Sequence, residues 1–369
     1  NQYLLARRGN FGQFYVRSMT EVGFLQPTTG VPLVSRPRGE ELAAAFGAAV
    51  GDRVEGLIAN ALADGSVEYR NAKAIGTAVH PASIHGASRE MRLLRDFVLG
   101  NVPDVVDGSA RRASAWLLLD LLRHGVSLDD ETAIRRAFYY RVLPGGARYQ
   151  QPGQVIDRWR IYQANELCHI ALEVWLNAVA IRIGEHSDGV SPRQVISDLL
   201  DSAFSARDLR EDWDGWAADM GKRAQDRTAL QAALRLLAAL YVRWRNGEGG
   251  VRSALGGYAG VGGRSLSQVL ASLERSERAD AREAVRSVLQ EHVVESHLAI
   301  AARKLAATDK FTYRFTLSDG VLSDGVSTTY GYTNPRLRNL ARFLRDAKLC
   351  VDDALTAAGE KFLDENQPS

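Results

Sequence analysis

The chain has 369 residues, of which 46% are hydrophobic and 24% are charged, a composition typical of a folded globular protein and unlike that of a disordered one. Its 46 Lys and Arg residues nearly balance 44 Asp and Glu residues, which excludes a polybasic protein and an acidic tail, so any nucleic-acid footprint must be local. Because single cores stop growing at roughly 250–300 residues, we expect two or three domains.

Most of the chain is predicted to be helical. Ala, Leu and Glu at helical spacing predict one or two helices over 38–63, and turn-forming residues predict a loop over 64–88. Ser88 is a predicted cap for the next helix, and Gly125 is predicted to end a helix over 109–124. Further helices are predicted from 129 or 130 to 140 and over 154–183, 192–204 and 228–244.

Glycines dominate residues 246–264, which predicts a flexible linker or an ordered glycine loop. Beyond it we expect helices over 265–276 and 280–306. A strand is predicted over 311–317, where aromatic and aliphatic residues alternate with polar ones, and a short hairpin is expected to follow because Ser-Asp-Gly occurs twice. The predicted fold class is mainly α with small β additions.

The two cysteines, Cys168 and Cys350, lie far apart and neither belongs to a C-x-x-C pair, so neither a disulfide framework nor a thiolate zinc site is indicated. No basic stretch followed by an apolar segment is seen after Asn1. The richest apolar stretch that we identify, 229–242, contains Gln231 and Arg235 and is too short for a bilayer. We therefore expect a cytoplasmic protein without membrane contact.

The C-terminal segment 334–363 carries an amphipathic helix pattern, a short polar excursion at Asp352 and Asp353, and the motif Leu355-Thr356-x-x-Gly359. This order resembles the closing half of prokaryotic winged-helix domains, in which a recognition helix precedes a wing and an LTxxG turn into a last helix. Segments 18–25 and 37–42 resemble it more loosely. The chain as a whole is similar to uncharacterised helical proteins of bacterial defence islands.

These features divide the chain into four predicted segments. An N-terminal winged-helix-like module is predicted over 1–63, a helical core over 64–245, and the glycine-rich linker or loop over 246–264. Residues 265–369 are predicted to hold the C-terminal helices and the second winged-helix-like module. The expected architecture is thus a multi-helix core with winged-helix-like terminal modules and a small β-hairpin.

Four arginines lie on the predicted helix that precedes the wing. They are Arg336, Arg338, Arg342 and Arg345. Guanidinium groups bind phosphate oxygens and guanine edges when a helix enters the major groove, so these residues are the candidate contacts to double-stranded DNA. The N-terminal segment adds five candidate phosphate contacts, Arg7, Arg8, Arg17, Arg36 and Arg38. A wing that is purely structural or binds a protein partner is the alternative.

Arg286 and His292, with five residues between them, resemble the Arg-x(4–6)-His pair of the HEPN ribonucleases. The resemblance implies RNA cleavage at a site shared by two protomers. The histidine would act as general acid or base and the arginine would neutralise charge on the phosphate. This hypothesis predicts that both side chains are exposed.

Metal and cofactor motifs are weak. Glu166 and His169, followed by Glu173, have the spacing used in di-iron bundles, but no second Glu-x-x-His is present, so a hydrogen-bonded core histidine is favoured. His80 and His85 have no nearby cysteine or acidic partner. The glycine-rich segment 257–265 lacks the Gly-Lys-Ser/Thr ending of a phosphate loop. No metal or cofactor is predicted.

The sequence therefore favours a non-enzymatic DNA-associated or scaffolding subunit of a prokaryotic complex, with anti-phage defence as the setting that the resemblance implies. Other protein subunits are the expected partners. Two alternatives stay open. One is the HEPN-like ribonuclease, with Arg286 and His292 as catalytic residues. The other is a protein-interaction subunit that contacts no nucleic acid, for which the Trp-containing acidic segment 208–220 would be a contact surface.

Overall fold

The computed structural model describes most of the chain, and the described part is mainly helical, as the sequence predicts. The described residues are 15–26, 33–80, 83–86, 88–101, 108–150, 154–204, 209, 212–219, 228–245, 266–331 and 336–367. The predicted glycine-rich linker over 246–264 and the candidate contacts Arg7 and Arg8 lie outside this set.

Two compact units make up the chain. Unit 1 combines Asn1–Ile156 with Arg336–Ser369, and unit 2 is Asp157–Pro335. Unit 2 is thus inserted between two parts of unit 1. This division differs from the four predicted segments, since residues 336–369 group with the N-terminal part of the chain and not with residues 265–335.

Helices form the first part of unit 1. They are α1 (Val16–Glu21), α2 (Arg38–Val50), α3 (Asp52–Asp64), α4 (Tyr69–Val79), α5 (Arg89–Leu99), α6 (Gly108–Arg123) and α7 (Glu131–Tyr140). The predicted loop over 64–88 is wrong across α4, because a single glycine inside a helix costs only about 1 kcal/mol and Gly76 is therefore tolerated.

Unit 2 contains the next helices and one hairpin. The helices are α8 (Gln154–Gly184), α9 (Pro192–Ala203), α10 (Trp213–Asp219), α11 (Ala229–Trp244), α12 (Leu266–Arg275), α13 (Ala281–Leu289) and α14 (Ser296–Thr308). A π-helical turn over Gln290–Glu295 separates α13 from α14, where a single helix was predicted. The hairpin pairs β1 (Thr316–Ser318) with β2 (Val321–Ser323), antiparallel, with Leu317 opposite Leu322.

The chain then returns to unit 1 and ends in a compact helix–hairpin–helix segment. Its elements are α15 (Arg336–Asp346), β3 (Cys350–Val351), β4 (Ala354–Leu355) and α16 (Ala357–Glu365). The antiparallel register places Cys350 opposite Leu355. This element order is the one that the sequence predicts for the segment.

Side-chain caps start several helices at predicted positions. Ser88 accepts a hydrogen bond from the Met91 backbone N–H and starts α5, and Ser191 accepts one from Gln194 and starts α9. Such caps satisfy one of the backbone N–H groups that the first helical turn leaves unpaired. The predicted starts of both helices are confirmed. They were predictable because these bonds are local in sequence.

Helix α6 lies at the centre of unit 1. Its residues 115–122 are buried without interruption, so apolar groups cover it on several sides. Trp116 donates a hydrogen bond of 2.8 Å from Nε1 to the carbonyl oxygen of Leu363 in α16. Asp120 is also fully buried, and its carboxylate accepts from the Tyr149 hydroxyl at 2.8 Å. The bond from Trp116 to Leu363 is one of the contacts that join the C-terminal segment to the N-terminal part of unit 1.

Helix α8 is central to unit 2. Among the described residues it is the helix that is long and apolar enough to cross a membrane by length and composition, with a mean hydropathy of 1.4 over its most apolar 18 residues. Half of its most apolar window is buried inside the protein, and a core helix meets the same test. The sequence predicts this helix over 154–183, although its richest apolar stretch was placed at 229–242.

The tryptophans of the acidic segment 208–220 are core residues. Trp213 and Trp216 have no exposed surface, their rings stack with centroids 5.4 Å apart, and Trp213 also packs on Tyr241 at 5.6 Å. A contact surface needs these rings at the surface, so the prediction that they form one is wrong. Alternation of Trp with Asp and Glu reflects a short helix with one buried side.

Candidate functional site

Helix α15 has a buried side and a polar side. Leu337, Ala341 and Leu344 are buried at i, i+4 and i+7, the spacing that places side chains on one face of a helix. The opposite face carries Arg338, Asn339 and Arg342, which are exposed. The apolar pattern of the sequence therefore determines which arginines of this helix reach solvent.

Arg338 and Arg342 are four residues apart and their side chains are 76% and 85% exposed. Each has a carboxylate near its Nε atom: Glu131 lies 3.4 Å from Arg338, and Asp346 lies 3.9 Å from Arg342. Exposed ion pairs of this kind contribute about 0–1 kcal/mol, so a phosphate can replace either partner at little cost. The side chain of Arg336 lies outside the described residues.

Arg345 has a different environment. Its Nη1 donates to Asp129 Oδ1 at 2.8 Å, its Nη2 lies 3.9 Å from Asp353 Oδ1, and the side chain is only 27% exposed. The hydrogen bond to Asp129 raises the pKa of this guanidinium. Asp353 in turn accepts from the Leu128 backbone N–H at 3.3 Å. Arg345 thus links α15, the tip of the β3–β4 hairpin and the loop before α7.

The LTxxG motif shapes the turn from the hairpin into α16. Thr356 donates from Oγ1 to the Lys348 carbonyl at 2.8 Å, and the same oxygen accepts from the Gly359 backbone N–H at 3.2 Å. A Cβ atom at Gly359 would collide with the carbonyl oxygen of Leu349. The threonine and the glycine therefore hold the hairpin against the start of α16.

The tip of this hairpin is acidic. Asp352 and Asp353 are exposed there, and Asp352 adopts a positive φ of 50° in the turn. Carboxylates repel phosphate, so the hairpin is a poor phosphate contact. On the side of α5, Arg95 donates from Nε to the Ala347 carbonyl at 2.6 Å and Lys348 packs beside Gly86.

The two residues of the ribonuclease hypothesis are not exposed together. His292 lies in the π-helical turn, is 3% exposed, and has its Nε2 atom 2.7 Å from the Ser272 hydroxyl of α12. Ser272 also donates to Glu291 at 2.8 Å, and Arg286 is paired with Glu283 one turn earlier on α13. The predicted exposure of His292 is wrong, because tertiary packing against α12 covers the ring. We do not propose RNA cleavage at this pair.

The candidate metal ligands of α8 do not form a metal site within the described residues. Glu166 is buried, and His169 Nε2 lies 4.0 Å from Glu173 Oε1. Within the described part of the chain, no group of three His, Cys, Asp or Glu side chains is arranged to hold a metal ion. His169 and Glu173 instead line a cavity of unit 2, described below.

Comparisons with known proteins identify no relative: no protein-family model, no curated protein and no solved structure matches this chain significantly. The winged-helix resemblance and the similarity to defence-island proteins therefore stay predictions from the sequence. The arginines of α15 were found from the sequence, but two of the carboxylates that pair with them, Asp129 and Glu131, were not. Asp129 and Glu131 lie more than 200 residues away along the chain, and no local pattern points to them.

Proposed function

We propose that unit 1 binds double-stranded DNA through the exposed face of α15, and that the protein acts as a non-enzymatic DNA-associated or scaffolding subunit of a prokaryotic complex. The observation that carries this proposal is the pair Arg338 and Arg342, one helical turn apart and each more than three-quarters exposed. Their helix is anchored by its buried apolar side. An anchored helix with a basic outer face suits the major groove.

The chemistry of this face favours base contact as well as phosphate contact. Arginine donates two hydrogen bonds to guanine O6 and N7, and asparagine forms two hydrogen bonds with adenine N6 and N7. Asn339 is exposed beside Arg338 on the same helix. Asp346 and the acidic hairpin tip limit the footprint to the first two turns of α15, in keeping with a net charge of only +2. Such a small footprint predicts modest affinity for a single protomer.

The test is fluorescence anisotropy of labelled duplex DNA, single-stranded DNA and RNA against the whole protein and a charge-reversed variant. The variant is Arg338→Glu/Arg342→Glu. Arg345 is kept, because its reversal would place a glutamate beside Asp129 and Asp353 and disturb the fold. The matched control is Arg53→Glu/Arg70→Glu, which reverses two charges as the test variant does, but at exposed positions on α3 and α4 of unit 1.

We expect duplex DNA to bind most tightly, and the α15 variant to bind it at least about tenfold more weakly than the control variant does. Equal loss in both variants would mean that binding follows net charge alone. Absence of binding to all three nucleic acids would contradict the proposal and leave the second candidate below.

The second candidate is a protein-interaction subunit without nucleic-acid contact. The observation that favours it is the exposure of two large apolar side chains on the neighbouring helices α3 and α4, Leu62 at 79% and Tyr69 at 86%. Large exposed apolar groups on neighbouring elements can mark a protein contact. Under this alternative, co-purification of a partner would survive nuclease treatment and be lost in Leu62→Ser/Tyr69→Ser. The setting in anti-phage defence rests on the resemblance alone.

A further inference from the structure

A cavity of about 390 Å³ lies within unit 2, between the middle of α8, the face of α14 and the segment that precedes β1. Its volume is within the range of small-molecule sites, roughly 300–1,000 Å³. Helix α8 contributes His169 and Glu173, and α14 contributes His297 and Lys304. Arg314 lines it from the segment before β1. Three separate elements thus bring five titratable side chains to one cavity.

Arg314 is the central group of this cavity. Its Nη1 atom lies 3.3 Å from Glu173 Oε2, close enough for an ion pair. The same atom is buried and has no hydrogen-bond acceptor among the described residues. Glu173 compensates the charge of the guanidinium, but the N–H groups of this buried atom are left without a well-aligned acceptor, which costs free energy. An oxygen atom of a ligand would supply the missing acceptor.

His297 holds Arg314 in this position. The Arg314 backbone N–H donates to His297 Nε2 at 2.9 Å, and the His297 ring packs on Phe315 with centroids 4.8 Å apart. An imidazole nitrogen accepts a hydrogen bond only when it carries no proton, so this ring is neutral with its hydrogen on Nδ1. His297 is therefore a positioning residue, and its Nε2 is not free to coordinate a metal.

The charges around the cavity favour an anion. Lys304 and Arg314 carry two positive charges against the single carboxylate of Glu173. Lys304 is exposed at the rim and forms no ion pair within the described ranges. Ammonium and guanidinium groups together offer several N–H donors, which oxyanions with several acceptor oxygens bind.

We propose that this cavity binds a small-molecule oxyanion, a phosphate or a carboxylate, through Arg314 and Lys304, with His297 as positioning residue. The proposal concerns unit 2 and is independent of DNA binding by α15. The volume exceeds that of a bare phosphate ion, so the site has room for the body of an organic phosphate or acid beside the charged group.

The test is isothermal titration calorimetry of the whole protein in a chloride buffer, with three probes: inorganic phosphate, pyrophosphate and citrate. The variants are Lys304→Gln and Arg314→Gln. The control is Arg303→Gln, which removes the same charge one residue away on α14, where the side chain does not line this cavity. Lys304→Gln keeps the test valid if Arg314→Gln fails to fold, because Lys304 is exposed.

We expect saturable binding of at least one probe with one site per chain. Lys304→Gln should weaken it about tenfold, the loss of one charge-assisted hydrogen bond, while Arg303→Gln should leave it unchanged. Preference for pyrophosphate over citrate would identify the phosphate class, and the reverse would identify the carboxylate class. No saturable binding of any probe, or equal binding by the Lys304→Gln variant, would overturn the proposal.

Discussion

A buried carboxylate in the core of unit 1 depends on neighbouring hydrogen-bond donors. Asp120 has no exposed surface, and its carboxylate accepts from the Tyr149 hydroxyl at 2.8 Å and from Arg123 Nη2 at 3.0 Å. Burial and the neighbouring carboxylate raise the pKa of Tyr149, so its hydroxyl stays protonated and donates. Removal of one donor leaves a buried negative charge less well compensated.

Tyr149→Phe is expected to lower the free energy of unfolding by about 1–3 kcal/mol, because Asp120 loses a hydrogen bond that water does not replace. Urea denaturation followed by circular dichroism measures this. Tyr140→Phe is the control, since Tyr140 is 59% exposed. An equal loss in both variants would show that the Asp120 bond contributes nothing.

The buried thiol of Cys168 makes the stability of unit 2 depend on alkaline pH. Burial raises the pKa of its thiol from 9.0 to about 12, so the folded protein keeps the proton where the unfolded chain releases it. A raised folded-state pKa gives stability that is complete below pH 9 and is lost as pH rises toward 12. The loss is on the order of 4 kcal/mol at most.

The measurement is the urea unfolding free energy at pH 8 and pH 10.5. We expect the native protein to lose stability over this interval and Cys168→Ala to lose less, because alanine has no thiol to ionise in the unfolded chain. The same pH dependence in both proteins would contradict the role of the buried thiol.

At the scale of elements, the C-terminal turn depends on one glycine. A Cβ atom at Gly359 would collide with the Leu349 carbonyl, so Gly359→Ala must push α16 away from the β3–β4 hairpin. We expect a loss of about 1–3 kcal/mol in thermal or urea unfolding. Gly56→Ala on α3 is the control, because nothing lies within 4 Å of its added Cβ, and it should be neutral or slightly stabilising. Comparable losses would refute the steric argument.

Elements with local signals were predictable from the sequence, and those set by packing were not. The cap residues Ser88 and Ser191 bond within three residues of themselves, and both helix starts were predicted. The strand predicted over 311–317 starts only at Thr316, because Phe311 is exposed and contacts Tyr313 beside it instead of a partner strand. The π turn depends on packing of His292 against Ser272, twenty residues away, and has no local signature.

The candidate site was predicted in part for the same reason. Amphipathic spacing identified α15 and its arginines, and helical periodicity alone separates exposed Arg338 and Arg342 from the buried side. Periodicity could not show that Arg345 pairs with Asp129, since the two residues are far apart in sequence. The oxyanion cavity was missed entirely, because His169, Lys304 and Arg314 come together only through the tertiary fold.

At the scale of the whole molecule, unit 1 is discontinuous and unit 2 is inserted into it. The contacts that close unit 1 span the insertion, such as Arg95 with the Ala347 carbonyl and Trp116 with the Leu363 carbonyl. No sequence pattern marks contacts between residues so far apart along the chain. Each of the four predicted segments is therefore one continuous stretch, whereas unit 1 combines two separate stretches.

Deletion of residues 336–369 tests this organisation. We expect amide hydrogen exchange to show lost protection in α6, where Trp116 loses its acceptor, and unchanged protection in α8 and α13 of unit 2. If the helices predicted in segment 265–369 packed instead with the C-terminal winged-helix-like module of that segment, α13 would lose protection.

The salt dependence of binding is the decisive measurement of whether α15 binds duplex DNA. Each phosphate neutralised contributes about 0.9 to the slope of log affinity against log salt. We expect Arg338→Glu/Arg342→Glu to reduce this slope by about two relative to Arg53→Glu/Arg70→Glu. An unchanged slope would show that α15 makes no phosphate contact and would contradict the claim.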